Sequence, residues 1–205
     1  MKKVLAVCLL AFTGSAAQAQ GLDKPLLLVA SPSLKGGYSH TALLVFPMRG
    51  QHVGFILNKS TDVKLATVFP DHPPSAQVVE PIYFGGPEMV DSLFALVRRN
   101  PGEASMRLFG DLFLTADADT LDRIIEQTPN DARYFAGFVG WEPGELAKEI
   151  EAGFWYVADP DAAVVFTKDT GRMWEELVER LGNGHSRPRD LKDTRLPGDA
   201  LPAAG

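Results

Sequence analysis

The amino-acid sequence predicts an α+β fold. Short apolar runs bounded by proline, glycine and serine recur along the chain, at lengths typical of buried strands. Two or three stretches with a helical stripe are interspersed among them. No internal repeat is present, so the elements are expected to build one core rather than a stacked array. Of the 205 residues, 45% are hydrophobic and 22% charged. That composition and length suit one domain that stands without disulfides or metals.

The elements follow in order. Residues 26–30 (LLLVA), 41–46 (TALLVF) and 53–57 (VGFIL) have strand character. The paired glycines Gly36-Gly37 make the segment between 32 and 40 a turn region. Residues 63–69 suit a short helix. Pro70, Pro73, Pro74 and Pro81 leave 70–81 too few backbone donors for a ladder, so it reads as a loop. Residues 82–84 lead into a sharp turn at Gly85-Gly86-Pro87. Residues 93–98 read as a strand, Asn100-Pro101-Gly102 as a turn, and 106–114 as a strand or a hairpin about Gly110. Residues 118–127 carry Leu121, Ile124 and Ile125 on one helical face, with Thr115 or Asp117 as N-cap. Residues 134–139 and 162–166 (AAVVF) read as strands. Residues 170–181 carry Trp174, Leu177, Val178 and Leu181 at helical spacing, with Glu176 and Arg180 as an i,i+4 pair.

The stretch FVGWEPGELAKEIEAGFWYV, 138–157, reads as strand, glycine turn, short helix and strand. Pro143 fits a first helical turn, and Glu145 lies near the positive helix end. Leu146 and Ile150 share one face, which leaves Lys148 and Glu149 toward solvent. Gly153 suits the left-handed position after a helix.

The first twenty residues have a different character. Lys2 and Lys3 precede an apolar run, 4–12, too short to span a bilayer, and Ala17-Gln18-Ala19 is a small-x-small cleavage signal. The expectation is a secretory signal peptide at 1–19, a domain at 20–182 and a flexible tail at 183–205 that is poor in large apolar residues. Loss of the leader removes two lysines and no acid, moving the formal charge from −6 to −8. It also removes Cys8, the one cysteine, and with it thiol chemistry, disulfides and cysteine-bound metal. The expected location is periplasmic or secreted, with the cytoplasm as the alternative. No membrane-spanning segment is expected after cleavage. The acidic balance argues against nucleic acid as a partner.

Motifs of chemistry are sparse. His40, His52, His72 and His185 are widely spaced and form no HExxH. His40 and His52 are placed to meet across adjacent strands. Asp117/Asp119 and Asp159/Asp161 lack the glycine and distal glutamate of a calcium loop; capping and a turn account for them. Ser39 and His40 are neighbours, which on a strand point to opposite faces, and no GxSxG is present. Gly36-Gly37 and Gly85-Gly86-Pro87 match no nucleotide-binding signature, although adjoining glycine turns have backbone N–H groups able to cradle a small anion.

Several blocks taken together resemble the YqgE/AlgH family: LLLVASPSL at 26–34, Gly54-Phe55-Ile56-Leu57-Asn58, Ile82-Tyr83-Phe84-Gly85-Gly86-Pro87, GWxPGxLxxEI at 140–150 with Trp155, and Phe166, Trp174 and Leu181-Gly182. The match runs from about residue 25 to 182. It implies a single α+β domain with a branched, partly barrel-like, mainly antiparallel sheet surrounded by a few helices. The family is often labelled a transcriptional regulator, with no reaction tied to it. The sequence departs from the family pattern at Gly36-Gly37 (Asp-Pro), His40 (Arg), Phe46-Pro47 (Glu-His), Glu145 (Gln) and Gly153 (Asn).

A ligand-binding cleft is expected around Asn58, Gly85, Gly86, Pro87, Gly140, Trp141, Gly144, Glu145 and Glu149. Trp141 would give apolar contact, Glu145 and Glu149 polar contact, and the glycines close backbone approach. No catalytic residue, metal ligand or cofactor is assigned. The chain is expected to be an exported, non-catalytic binding or regulatory module for an unknown protein or small ligand. The alternatives are a hydrolase-type enzyme with Glu145 or Glu149 as general base, and a cytoplasmic transcriptional regulator.

Overall fold

A computed structural model describes residues 21–182; the signal peptide and tail expected at 1–19 and 183–205 lie outside them. Leu26–Ala30 (β1), Ala42–Met48 (β2) and Gln51–Ile56 (β3) form an antiparallel run. All five residues of β1 are buried, which fits a strand covered on both faces. A helical turn at Leu65–Val68 (α1), a 3-10 turn at Pro73–Gln77 and a two-residue strand at Tyr83–Phe84 (β4) follow. Next come Glu88–Val97 (β5) and the hairpin of Met106–Phe109 (β6) and Leu112–Thr115 (β7). Then follow Ala118–Gln127 (α2), Ala132–Trp141 (β8), Glu145–Glu151 (α3), Trp155–Ala158 (β9), Ala162–Val165 (α4) and Met173–Gly182 (α5).

The strands run β6-β7-β5-β8-β3-β2-β1-β9, with β4 branching beside β8. The branch arises within β8. Phe135 and Ala136 pair in parallel with β4, whereas Val139–Trp141 pair antiparallel with β3. Gly137 stands between the two halves with φ of 70°, a left-handed conformation that costs glycine little. A Cβ there would strike the carbonyl oxygens of Gly86 and Glu88. On the facing strand β5, the register slips between Glu88 and Leu93, a bulge that bends the sheet. The result is a single α+β domain whose mainly antiparallel sheet is branched and curled into a half-barrel, as the resemblance implied. Phe46, Phe55, Tyr83 and Phe135 fill its core, with Phe55 and Phe135 centroids 5.2 Å apart.

Most predicted elements are present, but 162–166 is not a strand. It forms α4, because the Asp161 carboxylate accepts the Ala163 N–H at 2.8 Å and caps a helical turn. A uniform five-residue apolar run has no periodicity to separate the two states. The backbone oxygens beyond this turn find a distant donor. Arg133, only 1% exposed, donates to the carbonyls of Val165 and Thr167, both at 2.7 Å. It also pairs with Glu80 and lies over the Tyr83 ring. Pro143 likewise falls just before α3 rather than in its first turn, and Gly144 serves as the N-cap.

Candidate functional site

The residues of the expected cleft gather around the second half of β8, but several are taken up by the scaffold. Gly85 and Gly86 are buried and press on the backbone of Gly137–Val139, where a Cβ would collide. The Gly85 N–H is spent on the Ala136 carbonyl, and its own carbonyl accepts from Ile56 N–H, both at 2.9 Å. The close approach these glycines permit is therefore to the sheet itself. Pro87 is exposed beside them. Asn58 is a brace: its side chain accepts from Ala42 N–H at 3.0 Å and donates to the His40 carbonyl at 2.9 Å.

Glu149 does not point to solvent as the helical stripe predicted. Its Oε2 accepts the indole N–H of Trp141 at 2.9 Å and that of Trp155 at 2.8 Å. Both indoles are buried at the base of α3, and turning the half-buried carboxylate toward them satisfies two donors that would otherwise be orphaned. Glu145 is exposed and accepts the Glu142 N–H at 3.0 Å, closing the glycine turn that holds Gly144 at φ 81°.

An acidic face nevertheless forms here. Tyr38 packs near Trp155, with centroids 6.5 Å apart. Burial and the negative charges of Glu149, Glu88 and Glu145 push its phenol above the usual tyrosine range. Gly140 is exposed, and a Cβ on it would lie 3.9 Å from the Glu88 side chain. Thus Glu88 lies beside Gly140, Tyr38 beside Trp155, and the charges of Glu88 and Glu145 are felt at the Tyr38 phenol.

A cavity of about 640 Å³ lies elsewhere, between β5 and α2. Its walls include Phe69, Leu93, Phe94, Leu121 and Ile125, and Ser92, His72, Asp119 and Asp122 bring polar atoms to its edge. Phe69 and Met89 line it while remaining exposed. Met89 holds a left-handed φ of 51° within the β5 bulge, so the irregularity that curls the sheet also shapes this cavity. A volume of this size is typical of small-molecule sites. Nothing in the sequence announces it, because its walls come from segments as far apart as Phe69 and Ile125, none with a motif.

The histidines turn to different partners. His40 stacks edge-on against Trp174, with ring centroids 4.2 Å apart, and the His52 Nε2 meets the Leu22 carbonyl oxygen at 2.8 Å. His72 faces Asp122 and Glu126 of α2. Asp117 caps α2, accepting the Thr120 N–H at 3.0 Å and its hydroxyl at 2.7 Å; those bonds hold its carboxyl below the ordinary range.

Comparison with known proteins agrees with this architecture. The family model described as AlgH-like matches residues 27–186. A UPF0301 protein of Chlorobium limicola is 32% identical over 162 residues, covering 77% of this chain and 85% of its own. A UPF0301 protein of Chlamydia trachomatis is 32% identical over 169 residues, covering 78% and 87%. Among solved structures, the AlgH protein of Pseudomonas aeruginosa superposes with a TM-score of 0.68 at 25% identity, over 79% of this chain and 90% of that one. A protein of Corynebacterium diphtheriae superposes at 0.65 and 25%, over 82% and 94%. With a family model spanning most of its length and its sheet shared with a solved relative, the chain belongs to the AlgH-like family.

Proposed function

We propose that this chain is an exported, non-catalytic binding domain whose ligand is a small amphiphile with an apolar body and a cationic amine end. The cavity between β5 and α2 carries the reading: about 640 Å³, walled by Leu93, Phe94, Leu121 and Ile125 and edged by Asp119 and Asp122. An apolar chain would fill the walls, and the carboxylates would favour a positive end. The non-catalytic part is supported by the commitment of both candidate general bases, Glu149 to two indole donors and Glu145 to the Glu142 N–H. Export is supported by the basic, apolar and small-residue order of the first nineteen residues.

A second reading places the ligand on the face of Tyr38, Glu88, Gly140 and Glu145, near the glycines and tryptophans picked out in the sequence. The exposed Glu88 and Glu145 favour it, and a compact cation would be the ligand.

Titration with decylammonium, with decanoate as control, tests both while methyl and indole resonances are followed. Shifts at Leu93, Leu121 and Ile125 that Leu93→Arg abolishes are expected. Silence at those methyls sinks the cavity reading, and shifts confined to the Trp141 and Trp155 indoles establish the second. Export is tested by fractionation and intact mass. A periplasmic species beginning at Gln20 is expected, and a cytoplasmic species beginning at Met1 overturns it.

A further inference from the structure

His72, Asp122 and Glu126 bring one imidazole and two carboxylates together from segments fifty residues apart. Their ligand atoms all lie within 4.8 Å of one another. Asp122 and Glu126 are spaced i,i+4 on α2, which stacks them on one face, and His72 approaches from the loop before the 3-10 turn. The Nε2 of His72 lies 3.1 Å from Asp122 Oδ1, yet it is shielded from solvent and makes no hydrogen bond. The carboxylate oxygen is close but off the axis of the ring nitrogen. That is poor for a hydrogen bond, and it is where a second ligand to a shared ion sits.

The other ring nitrogen is fixed. Nδ1 meets the hydroxyl of Ser75 at 2.8 Å, and Ser75 is buried. With the proton on Nδ1 and donated to that hydroxyl, Nε2 keeps its lone pair, the tautomer a metal requires. An outer partner that sets the ring in this way is a regular companion of histidine ligands. The two carboxylates are exposed and can rotate the short distance needed for ligand bonds of about 2.0–2.2 Å.

We infer that His72 Nε2, Asp122 and Glu126 form a binding site for a divalent first-row transition metal, zinc being the representative ion. Imidazole with carboxylates suits this class, whereas magnesium favours oxygen ligands alone. His72 and Asp122 also edge the cavity of the proposed ligand, so zinc and an amine end would compete for Asp122, while Glu126 is used by the metal alone.

The test is zinc titration of the tag-free full chain by calorimetry and by competition with a chromophoric chelator, with magnesium as control. One equivalent of zinc is expected, with a rise in Tm on loading. His72→Ala and Glu126→Gln should each weaken binding by about tenfold or more, while His185→Ala leaves it unchanged. Should His72→Ala fail to fold, Glu126→Gln decides, because Glu126 is exposed and its change is isosteric. No stoichiometric zinc binding by the wild-type chain, or equal binding by wild type and Glu126→Gln, overturns the inference; the first leaves His72 and Asp122 a plain ion pair, and the second puts the ion elsewhere.

Discussion

Trp141 and Trp155 share one acceptor, with both indole N–H groups directed at Oε2 of Glu149, and their rings meet edge to face at 6.5 Å. The carboxylate thus ties the end of β8, α3 and β9 together. Glu149→Ala should cost about 1–3 kcal/mol for each donor left without a partner, read as a lower urea midpoint. Glu149→Gln retains one carbonyl oxygen and should lose less. Equal losses in the two variants would show that shape, not hydrogen bonding, matters here.

Arg133 gives the second prediction. Arg133→Ala removes donors from two carbonyls and leaves Glu80 without its partner, so a loss of about 3–5 kcal/mol is expected. Arg133→Lys should recover only part, since three oxygens now met by Nε, Nη1 and Nη2 cannot all be reached from one ammonium nitrogen. Denaturant unfolding of the three proteins measures both.

Two glycines separate backbone strain from collision. Gly144 is at φ 81° in open space, whereas Gly137 is at φ 70° against backbone oxygens. Gly144→Ala should cost about 1–2 kcal/mol, the left-handed penalty alone. Gly137→Ala should yield little folded protein, because the atoms it meets are backbone and cannot turn aside. Soluble yield and Tm distinguish them; similar values for both would remove Gly137 as the hinge of the branch.

Acid sensitivity should appear at the start of α2. The Asp117 carboxyl is held below its ordinary value by the Thr120 hydroxyl and N–H. A lowered folded value means its contribution is complete above the unfolded value of about 3.9 and lost as pH falls through the folded one. The stability gap between wild type and Asp117→Ala should therefore be constant near neutrality and narrow below about pH 4. A gap that does not change in acid would show that the charge of Asp117 contributes nothing.

Local patterns carried most of the fold. Leu121, Ile124 and Ile125 with a capping Asp117 placed α2, because period and cap agree. The AAVVF run misled, since its helical turn depends on a cap from the adjacent Asp161 and its last carbonyls on Arg133, 32 and 34 residues away in sequence. The site was less legible. Gly85 and Gly86 press on Gly137–Val139, and Glu149 bonds Trp141 and Trp155, contacts that no single segment reveals. His72 and Asp122 meet only because α2 folds back over the loop before β4.

The indole N–H of Trp174 donates to the carbonyl of Ala30, 144 residues earlier, and β1 takes β9 as one of its two neighbours. The opening strand therefore waits for the last elements of the chain before its core can close. Such long-range pairing slows folding, and a chain still leaving the ribosome has no finished N-terminal half to collapse onto. Under the proposed export, the same topology would itself supply a delay before folding.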